Sequence, residues 1–172
     1  MRLRPFHPKD AEGMLSWMKD KSINDVFATD FGSFTHEKVL KFIESANKDK
    51  SNLHLACVDD NDEYLGTVSL KAINKHDKNA EYAISFCKKA HGTGAAHYAT
   101  QEILKIAFME LGLERVYLNV IPDNARANAF YKKSGFVFEG TFRKHIQIKG
   151  QLKDLNWYSI LKEEYEKTHQ NF

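Results

Sequence analysis

The sequence is short of the residues that would mark a secreted, metal-binding or membrane protein. It holds two cysteines in 172 residues, too few for a disulfide framework, and nothing has the ligand spacing of a zinc site. No stretch approaches the ~18 consecutive apolar residues of a membrane-spanning helix, and the N-terminus has no apolar signal segment. We therefore expect a cytoplasmic protein with no metal, in which Cys57 and Cys87 are free thiols.

An excess of one charge is also missing. The 25 Lys and Arg residues nearly balance the 23 Asp and Glu residues, which leaves a formal net charge of +2. The positive residues form no stripe interleaved with aromatics, so neither nucleic acid nor a membrane is an expected partner. With 42% hydrophobic residues and no low-complexity segment, residues 1–172 should form a single domain. Residues 163–172 are predicted to be a loose polar tail.

What the sequence does contain is a glycine loop between a predicted strand at residues 80–87 and a predicted helix at residues 95–111. Gly92 and Gly94 remove the β-carbons that would keep an anion away from the N–H groups at the start of that helix. The loop is neither a Gly-x-x-x-x-Gly-Lys-Ser/Thr motif nor a dinucleotide fingerprint, since His97 occupies the position of the third glycine. Taken alone, the loop indicates a pyrophosphate site no more strongly than an ordinary turn.

A second informative segment begins thirty residues after the loop. Asn124 is a favourable N-cap for a short helix, and Gly135 is placed to end that helix in the left-handed conformation, with Phe136 packing back on it. Tyr131 lies on the inner face of this predicted helix. By itself a tyrosine at helical spacing is more often a core aromatic than a catalytic group.

The glycine loop and the pattern Asn-x-x-Ala-x-x-x-Tyr-x-x-x-Gly-Phe, which begins at Asn124, together resemble the GNAT superfamily of acyl-CoA N-acyltransferases. Residues 136–140 and 150–154 resemble the closing strands of one subgroup. That subgroup contains the ribosomal-protein N-terminal acetyltransferases and the nucleotide-amino-sugar N-acetyltransferases. The resemblance implies an α/β fold with a mixed central sheet of about seven strands, splayed at the cofactor site and flanked by helices.

The resemblance also implies acetyl-CoA as co-substrate. The family's Arg/Gln-x-x-Gly-x-Gly/Ala loop falls on residues that would hold the pyrophosphate: Lys89, Ala90, His91, Gly92, Thr93, Gly94 and Ala95. The backbones of Ile84 and Phe86 would pair with the pantetheine arm. Asn124 would contact the cofactor arm, and Tyr131 would reach the sulfur. Lys89 departs from Arg/Gln, and because lysine lacks the forked geometry of arginine, the departure bears on cofactor affinity.

Amine acetylation needs an acid and a base. An alkylammonium with a pKa near ~10 must lose a proton before it attacks the thioester, and the departing thiolate benefits from a proton donor. The resemblance implies Tyr131 as the acid. Glu81 is the candidate base, through water, although a glutamate at a strand start is more often only solvated. Some relatives that acetylate protein N-termini carry a glutamate where this chain has Asn119.

The acceptor is expected to meet residues 22–34 and 143–148, which include Phe27, Phe31, Arg143 and His145. Aromatic side chains suit a ring-shaped or extended donor, although for any one phenylalanine simple packing is the better interpretation. A nucleotide-linked amino sugar is the favoured acceptor, because the closing strands resemble that subgroup and because Arg143, Lys144 and His145 could meet a nucleotide phosphate.

Three alternatives stay open. A protein N-terminus would also supply a primary amine. A polyamine would need a cluster of carboxylates to bind its ammonium groups, for which Asp25, Asp30 and Glu81 are the candidates. A non-catalytic acyl-CoA-binding sensor or assembly subunit is the alternative of another class, and Tyr131 and the intact glycines argue against it. Relatives of this kind often form homodimers, but one sequence does not reveal a self-complementary patch.

Overall fold

Seven strands form a single sheet in the computed structural model, which describes residues 1–169. The strands are β1 (Arg2–Arg4), β2 (Leu53–Val58), β3 (Tyr64–Asn74), β4 (Asn79–Phe86), β5 (Arg115–Val120), β6 (Val137–Ile148) and β7 (Gln151–Leu161). They lie in the order β1-β2-β3-β4-β5-β7-β6, and β4 with β5 is the parallel pair among antiparallel ones. The predicted mixed α/β sheet is confirmed.

Helices cover both faces of this sheet. They are α1 (Ala11–Met18), α2 (Lys21–Asn24), α3 (His36–Ala46), α4 (Ala95–Lys105), α5 (Ala125–Lys133) and α6 (Lys162–His169). Side chains alternate along a strand, so Ala56 and Val58 pack with α1 and α3, while Leu55 and Cys57 pack with α4 on the opposite face. Within residues 1–169 no helix combines the length and the apolar character needed to cross a membrane.

The parallel pair of β4 and β5 determines where the sheet opens into a gap that could hold a ligand. β4 and β5 are paired at Asn79–Arg115, Ala80–Val116 and Glu81–Tyr117. Beyond these pairs β4 continues to Phe86 and β5 to Val120 without a shared ladder. The expected splay is therefore present, and it opens the sheet at the end where the glycine loop follows β4.

The helix after the glycine loop is close to its predicted span, but it changes character near its end. α4 passes into a π-helical turn, Ile106–Glu110, in which the amide of Leu111 donates to the carbonyl of Ile106 at 2.9 Å. Gly112 follows with φ +65°, the left-handed conformation expected of a residue that ends a helix.

The C-terminal segment differs from the prediction. Residues 162–169 form α6 rather than a loose tail. The side chain of Glu164 accepts a hydrogen bond from the amide of Leu161 at 2.9 Å, and the ring of Tyr165 packs on Phe108 with centroids 5.2 Å apart. One buried aromatic therefore anchors a helix whose other residues are polar. The rest of the predicted tail, residues 170–172, lies outside the described residues.

Candidate active site

A cavity of about 860 Å³ lies where β4 and β5 part. Its lining residues come from the ends of both strands, the glycine loop, α5, the segment around α2, and the hairpin of β6 and β7. One group of lining residues is Ile84, Phe86, Ala90, His91, Gly92, Gly94, Asn124, Arg126 and Tyr131. A second, mostly apolar group is Ile23, Val26, Phe27, Ile121, Ile146, Ile148 and Leu155.

The glycine loop forms a cradle at this cavity. Gly92 and Gly94 have φ of +79° and +84°, and a β-carbon at either glycine would meet no described residue within 4 Å other than its own chain neighbours. In the described chain the amides of Gly92, Gly94 and Ala96 donate to no other group. Free amides around open space at the start of α4 suit an anion, so the loop fits the phosphates of a CoA cofactor.

A histidine and an arginine tie the loop to its surroundings. His91 Nε2 lies 3.2 Å from the carbonyl oxygen of Phe86, and Arg126 Nη1 donates to His91 Nδ1 at 3.0 Å. Since the carbonyl can only accept and the guanidinium can only donate, the imidazole is neutral with its proton on Nε2. Burial, and then the nearby Arg126 charge, lower the pKa of His91, which favours the same neutral form.

The basic residue that lines the cavity beside the loop is not the one that was predicted to contact the cofactor. Lys89 is exposed and is not among the residues that line the cavity, whereas Arg126 lines it. Whether Lys89 helps to bind a cofactor stays a prediction. Arg126 was not among the predicted site residues, although its position in the first turn after the N-cap Asn124 was a usable signal.

α5 begins and ends as its sequence predicts. The side chain of Asn124 accepts from the amide of Ala127 at 3.1 Å, and Gly135 has φ +94°. Phe136 is buried, and its amide donates to the carbonyl of Tyr131 at 3.0 Å. These local contacts fix both ends of the helix that carries Tyr131.

Asn128 fixes that helix against the sheet. Its side-chain amide donates to the carbonyls of Ile121 at 3.0 Å and Asn124 at 2.8 Å. Its Oδ1 accepts from Asn156 at 3.0 Å and from the hydroxyl of Tyr158 at 2.8 Å. Asn128 was not predicted as a functional residue, because its partners lie on two separate segments of the chain, the turn before α5 and β7.

Tyr131 lies in an aromatic wall of the cavity. It is 9% exposed, and its ring packs against those of Tyr82, Phe136 and Tyr158. Its hydroxyl has no hydrogen-bond partner among residues 1–169. Burial raises its pKa to about 12, so the group carries its proton at neutral pH and can donate it.

Glu81 lies away from this cavity. It belongs to the paired part of β4, it is not a lining residue, and its carboxylate forms an ion pair with Lys71 Nζ at 2.7 Å. Asn119 does line the cavity. The structure therefore places the predicted acid in the cavity and the predicted base outside its wall, and the role of Glu81 stays a prediction.

The expected acceptor residues separate into three places. Phe27 lines the cavity, whereas Phe31 packs edge-on against Trp17 with centroids 5.1 Å apart. Arg143 and His145 belong to a bulge of β6 that lines a different, open groove. The structure thus brings one of the four predicted residues to the cavity, because the bulge turns the two basic residues elsewhere.

Carboxylates lie near the cavity rather than in it. Among the described residues no Asp or Glu lines the cavity. Asp25 neighbours the lining residue Val26, and its carboxylate pairs with the ammonium of Lys149 in the turn between β6 and β7. Within residues 1–169 no group of three or more His, Cys, Asp or Glu side chains could hold a metal ion.

Several known proteins are similar to this chain in sequence and in architecture. Residues 1–137 match the family model of the acetyltransferase (GNAT) domain. The uncharacterized N-acetyltransferase p20 of Bacillus licheniformis is 26% identical over 169 residues, which are 96% of this chain and 94% of that protein. A spermidine N(1)-acetyltransferase of Vibrio cholerae is 32% identical over 101 residues, which are 59% of this chain and 58% of that protein.

A solved structure is similar over almost the whole chain. The crystal structure of spermidine N-acetyltransferase from Vibrio cholerae, in complex with CoA and spermine, matches with a TM-score of 0.86. The match covers 95% of this chain and 96% of that one, at 23% sequence identity. At this identity the likeness establishes the fold.

Proposed function

The chain belongs to the GNAT acetyltransferase family, and on that premise we propose that it moves the acetyl group of acetyl-CoA directly to a primary amine in a ternary complex. Membership makes it an N-acetyltransferase. The observation that carries the proposal is the hydroxyl of Tyr131, which is buried, protonated and unpartnered in the described chain. It lines the same cavity as the glycine cradle.

The cofactor would be held by the loop and by both splayed strands. The free amides at Gly92 and Gly94 would receive its phosphates, and the backbones of Ile84 and Phe86 would pair with its pantetheine arm. When bound, acetyl-CoA supplies an activated acetyl group. Beyond Glu81 and Tyr117 the facing edges of β4 and β5 are not paired with each other, which leaves the backbone positions that such pairing requires.

The reaction needs three proton transfers: two from the acceptor nitrogen and one to the departing sulfur. The acceptor ammonium loses a proton, which Glu81 would take through water, and the neutral nitrogen then attacks the thioester carbonyl. A C–N bond would form and the C–S bond would break as Tyr131 gives its proton to the departing sulfur, and the second proton that the nitrogen sheds on becoming an amide would return through solvent to the Tyr131 phenolate. A free thiol has a reference pKa of about 8.5, so protonating it assists its departure at neutral pH.

We infer that a polyamine is a better acceptor than the nucleotide-linked amino sugar favoured by the sequence. The Vibrio cholerae relatives are spermidine acetyltransferases, and Arg143 and His145, the expected phosphate contacts, lie outside the cavity. Asp25 already holds an alkylammonium, that of Lys149, beside a lining residue. A distal ammonium of a polyamine would take the place of Lys149 there.

A protein N-terminus is the second candidate, and a specific observation favours it. The acceptor part of the cavity is lined by Val26, Phe27, Ile121, Ile148 and Leu155, with no carboxylate among the described lining residues. An apolar wall suits the first side chains of a peptide better than it suits a multiply charged amine. The expected homodimer and cytoplasmic location stay predictions.

The test is turnover of acetyl-CoA, detected as free thiol, with spermidine, peptides with free N-termini and a nucleotide amino sugar as acceptors. We expect the highest kcat/KM with spermidine. Peptide turnover alone would select the second candidate, and turnover with the amino sugar alone would restore the original expectation. A thermal shift by CoA without turnover of any acceptor would favour the non-catalytic sensor.

A further inference from the structure

Arg126 is a charged side chain in the cavity for which the expected chemistry has no role. It lies in the first turn of α5 and lines the cavity together with His91, Gly92 and Gly94. Among residues 1–169 it forms no ion pair, and its one hydrogen-bond partner is His91 Nδ1, at 3.0 Å. The cradle therefore has a cation beside it that no carboxylate of the described chain neutralises.

The hydrogen bond to His91 holds the guanidinium of Arg126 beside the glycine loop. His91 contacts the Phe86 carbonyl through Nε2 and accepts from Arg126 through Nδ1. Its ring thus bridges the end of β4 to the start of α5 across the gap between the splayed strands. Only Nη1 of the guanidinium is engaged in this contact, so its other N–H donors are available to a ligand.

The family resemblance assigns a charged contact with the cofactor phosphates to the loop position that Lys89 occupies. That side chain is exposed and lies outside the cavity wall. Arginine provides a planar fork that matches phosphate oxygens, which a lysine ammonium does not. The cavity therefore has a phosphate-binding group of the better geometry, delivered from α5 instead of from the loop.

We propose that Arg126 binds a phosphate group of the cofactor and that His91 positions it for this contact. The inference rests on the proposed use of acetyl-CoA. It assigns to Arg126 the charged contact that the sequence analysis gave to Lys89. CoA carries phosphate in its diphosphate and at its 3′ position, and the experiment separates the two.

Calorimetric titration of the wild type and of Arg126→Ala with CoA, 3′-dephospho-CoA and pantetheine tests the contact. A charge-assisted contact of this kind is worth roughly 1.5–3 kcal/mol, so we expect CoA to bind about 10-fold to 150-fold more weakly to the variant. Pantetheine, which has no phosphate, should bind both proteins equally. A loss that persists with 3′-dephospho-CoA assigns the diphosphate, and a loss that disappears assigns the 3′-phosphate.

Lys89→Ala is the matched control, since it removes a cation from the same loop region. We expect it to change CoA affinity less than about twofold, as exposed charges contribute little. Equal CoA affinity in the wild type and Arg126→Ala, or a larger loss in Lys89→Ala, would overturn the assignment. Weakened pantetheine binding in Arg126→Ala would show a general defect and would also count against it.

His91→Ala tests the positioning role. It should weaken CoA binding and leave pantetheine binding unchanged, and it should add little in the Arg126→Ala background, because the two residues would act through one contact. Additive losses would refute the positioning role. A wild type that does not bind CoA would overturn the proposed function as well, whereas normal CoA binding by Arg126→Ala would overturn this inference alone.

Discussion

The surroundings of Tyr131, rather than its residue type, set its protonation state and leave its hydroxyl open to a ligand. Burial among aromatic rings keeps it protonated, and its hydroxyl finds no partner in the described chain. We expect Tyr131→Phe to lower kcat by about 10²-fold, the contribution of a positioned acid. CoA affinity should stay within a few-fold, since the ring packing is retained. Steady-state kinetics measure kcat, and calorimetry measures CoA affinity. An unchanged kcat would show that Tyr131 is not the acid.

The same residue predicts a pH dependence. A tyrosine has a reference pKa of about 10, and burial raises the pKa of Tyr131 to about 12. The raised value means that the proton is kept to higher pH, so activity should not fall as pH passes through 10. kcat/KM should instead rise with pH as the acceptor ammonium deprotonates. A descending limb centred near pH 10 in the rate profile would contradict this.

The role of Glu81 as the base can be tested with variants of Glu81 and of Lys71, its ion-pair partner. If the carboxylate accepts the acceptor proton through water, Glu81→Gln should lower kcat by about tenfold or more. Lys71→Met removes the partner at 2.7 Å and leaves the carboxylate, so it should preserve most of the activity. Similar losses in both variants would mean that the pair supports β4 structurally and that another group or solvent takes the proton.

At the scale of elements, close packing of β3 on β4 supports the loop. A β-carbon added at Gly66 would lie 2.4 Å from the ring carbon Cγ of Phe86, whose carbonyl contacts His91. We expect Gly66→Ala to lower the free energy of unfolding by about 1–3 kcal/mol and to weaken CoA binding. Urea unfolding and calorimetry check the two effects.

Gly32→Ala is the matched control for that substitution. Its β-carbon would meet the side chain of Asp30 at 3.3 Å in an exposed segment, so we expect a change within about 0.5 kcal/mol. A Gly66→Ala protein as stable as the wild type would show that Phe86 can move without cost, and the proposed support of the loop would then be wrong.

Elements were predictable where local sequence specifies them. β4 and the two ends of α5 agree with expectation because caps, left-handed glycines and strand alternation are short-range signals. α6 was missed, since its stability depends on packing Tyr165 against Phe108, a residue far away in the chain. Polar composition alone does not reveal such an anchor.

At the scale of the whole molecule, a buried ion pair joins β1 to the start of α1. The carboxylate of Asp10, 1% exposed, accepts from Arg4 Nη1 at 2.7 Å and Nη2 at 2.8 Å. We expect Arg4→Met to lower the free energy of unfolding by about 3–5 kcal/mol, because it leaves a buried charge without its partner. Lys41→Met, in an exposed pair with Glu37, should cost less than about 1 kcal/mol. Equal effects in thermal unfolding would contradict the prediction.

The sequence by itself determined the family, the mixed sheet, the glycine cradle and the tyrosine on a capped helix. The cradle and the capped helix are encoded in spacings within about a dozen residues, where backbone conformation depends on local residue type, and the family and its mixed sheet followed from the resemblance that the two motifs carry together. Only the tertiary structure decided that Arg126 rather than Lys89 lines the cavity, that Phe27 faces it while Phe31 packs on Trp17, and that Arg143 lies elsewhere. Those outcomes depend on how distant segments of the chain approach one another. A bulge in a strand, or a shift of one residue along a helix, points a side chain in another direction without changing any local sequence pattern.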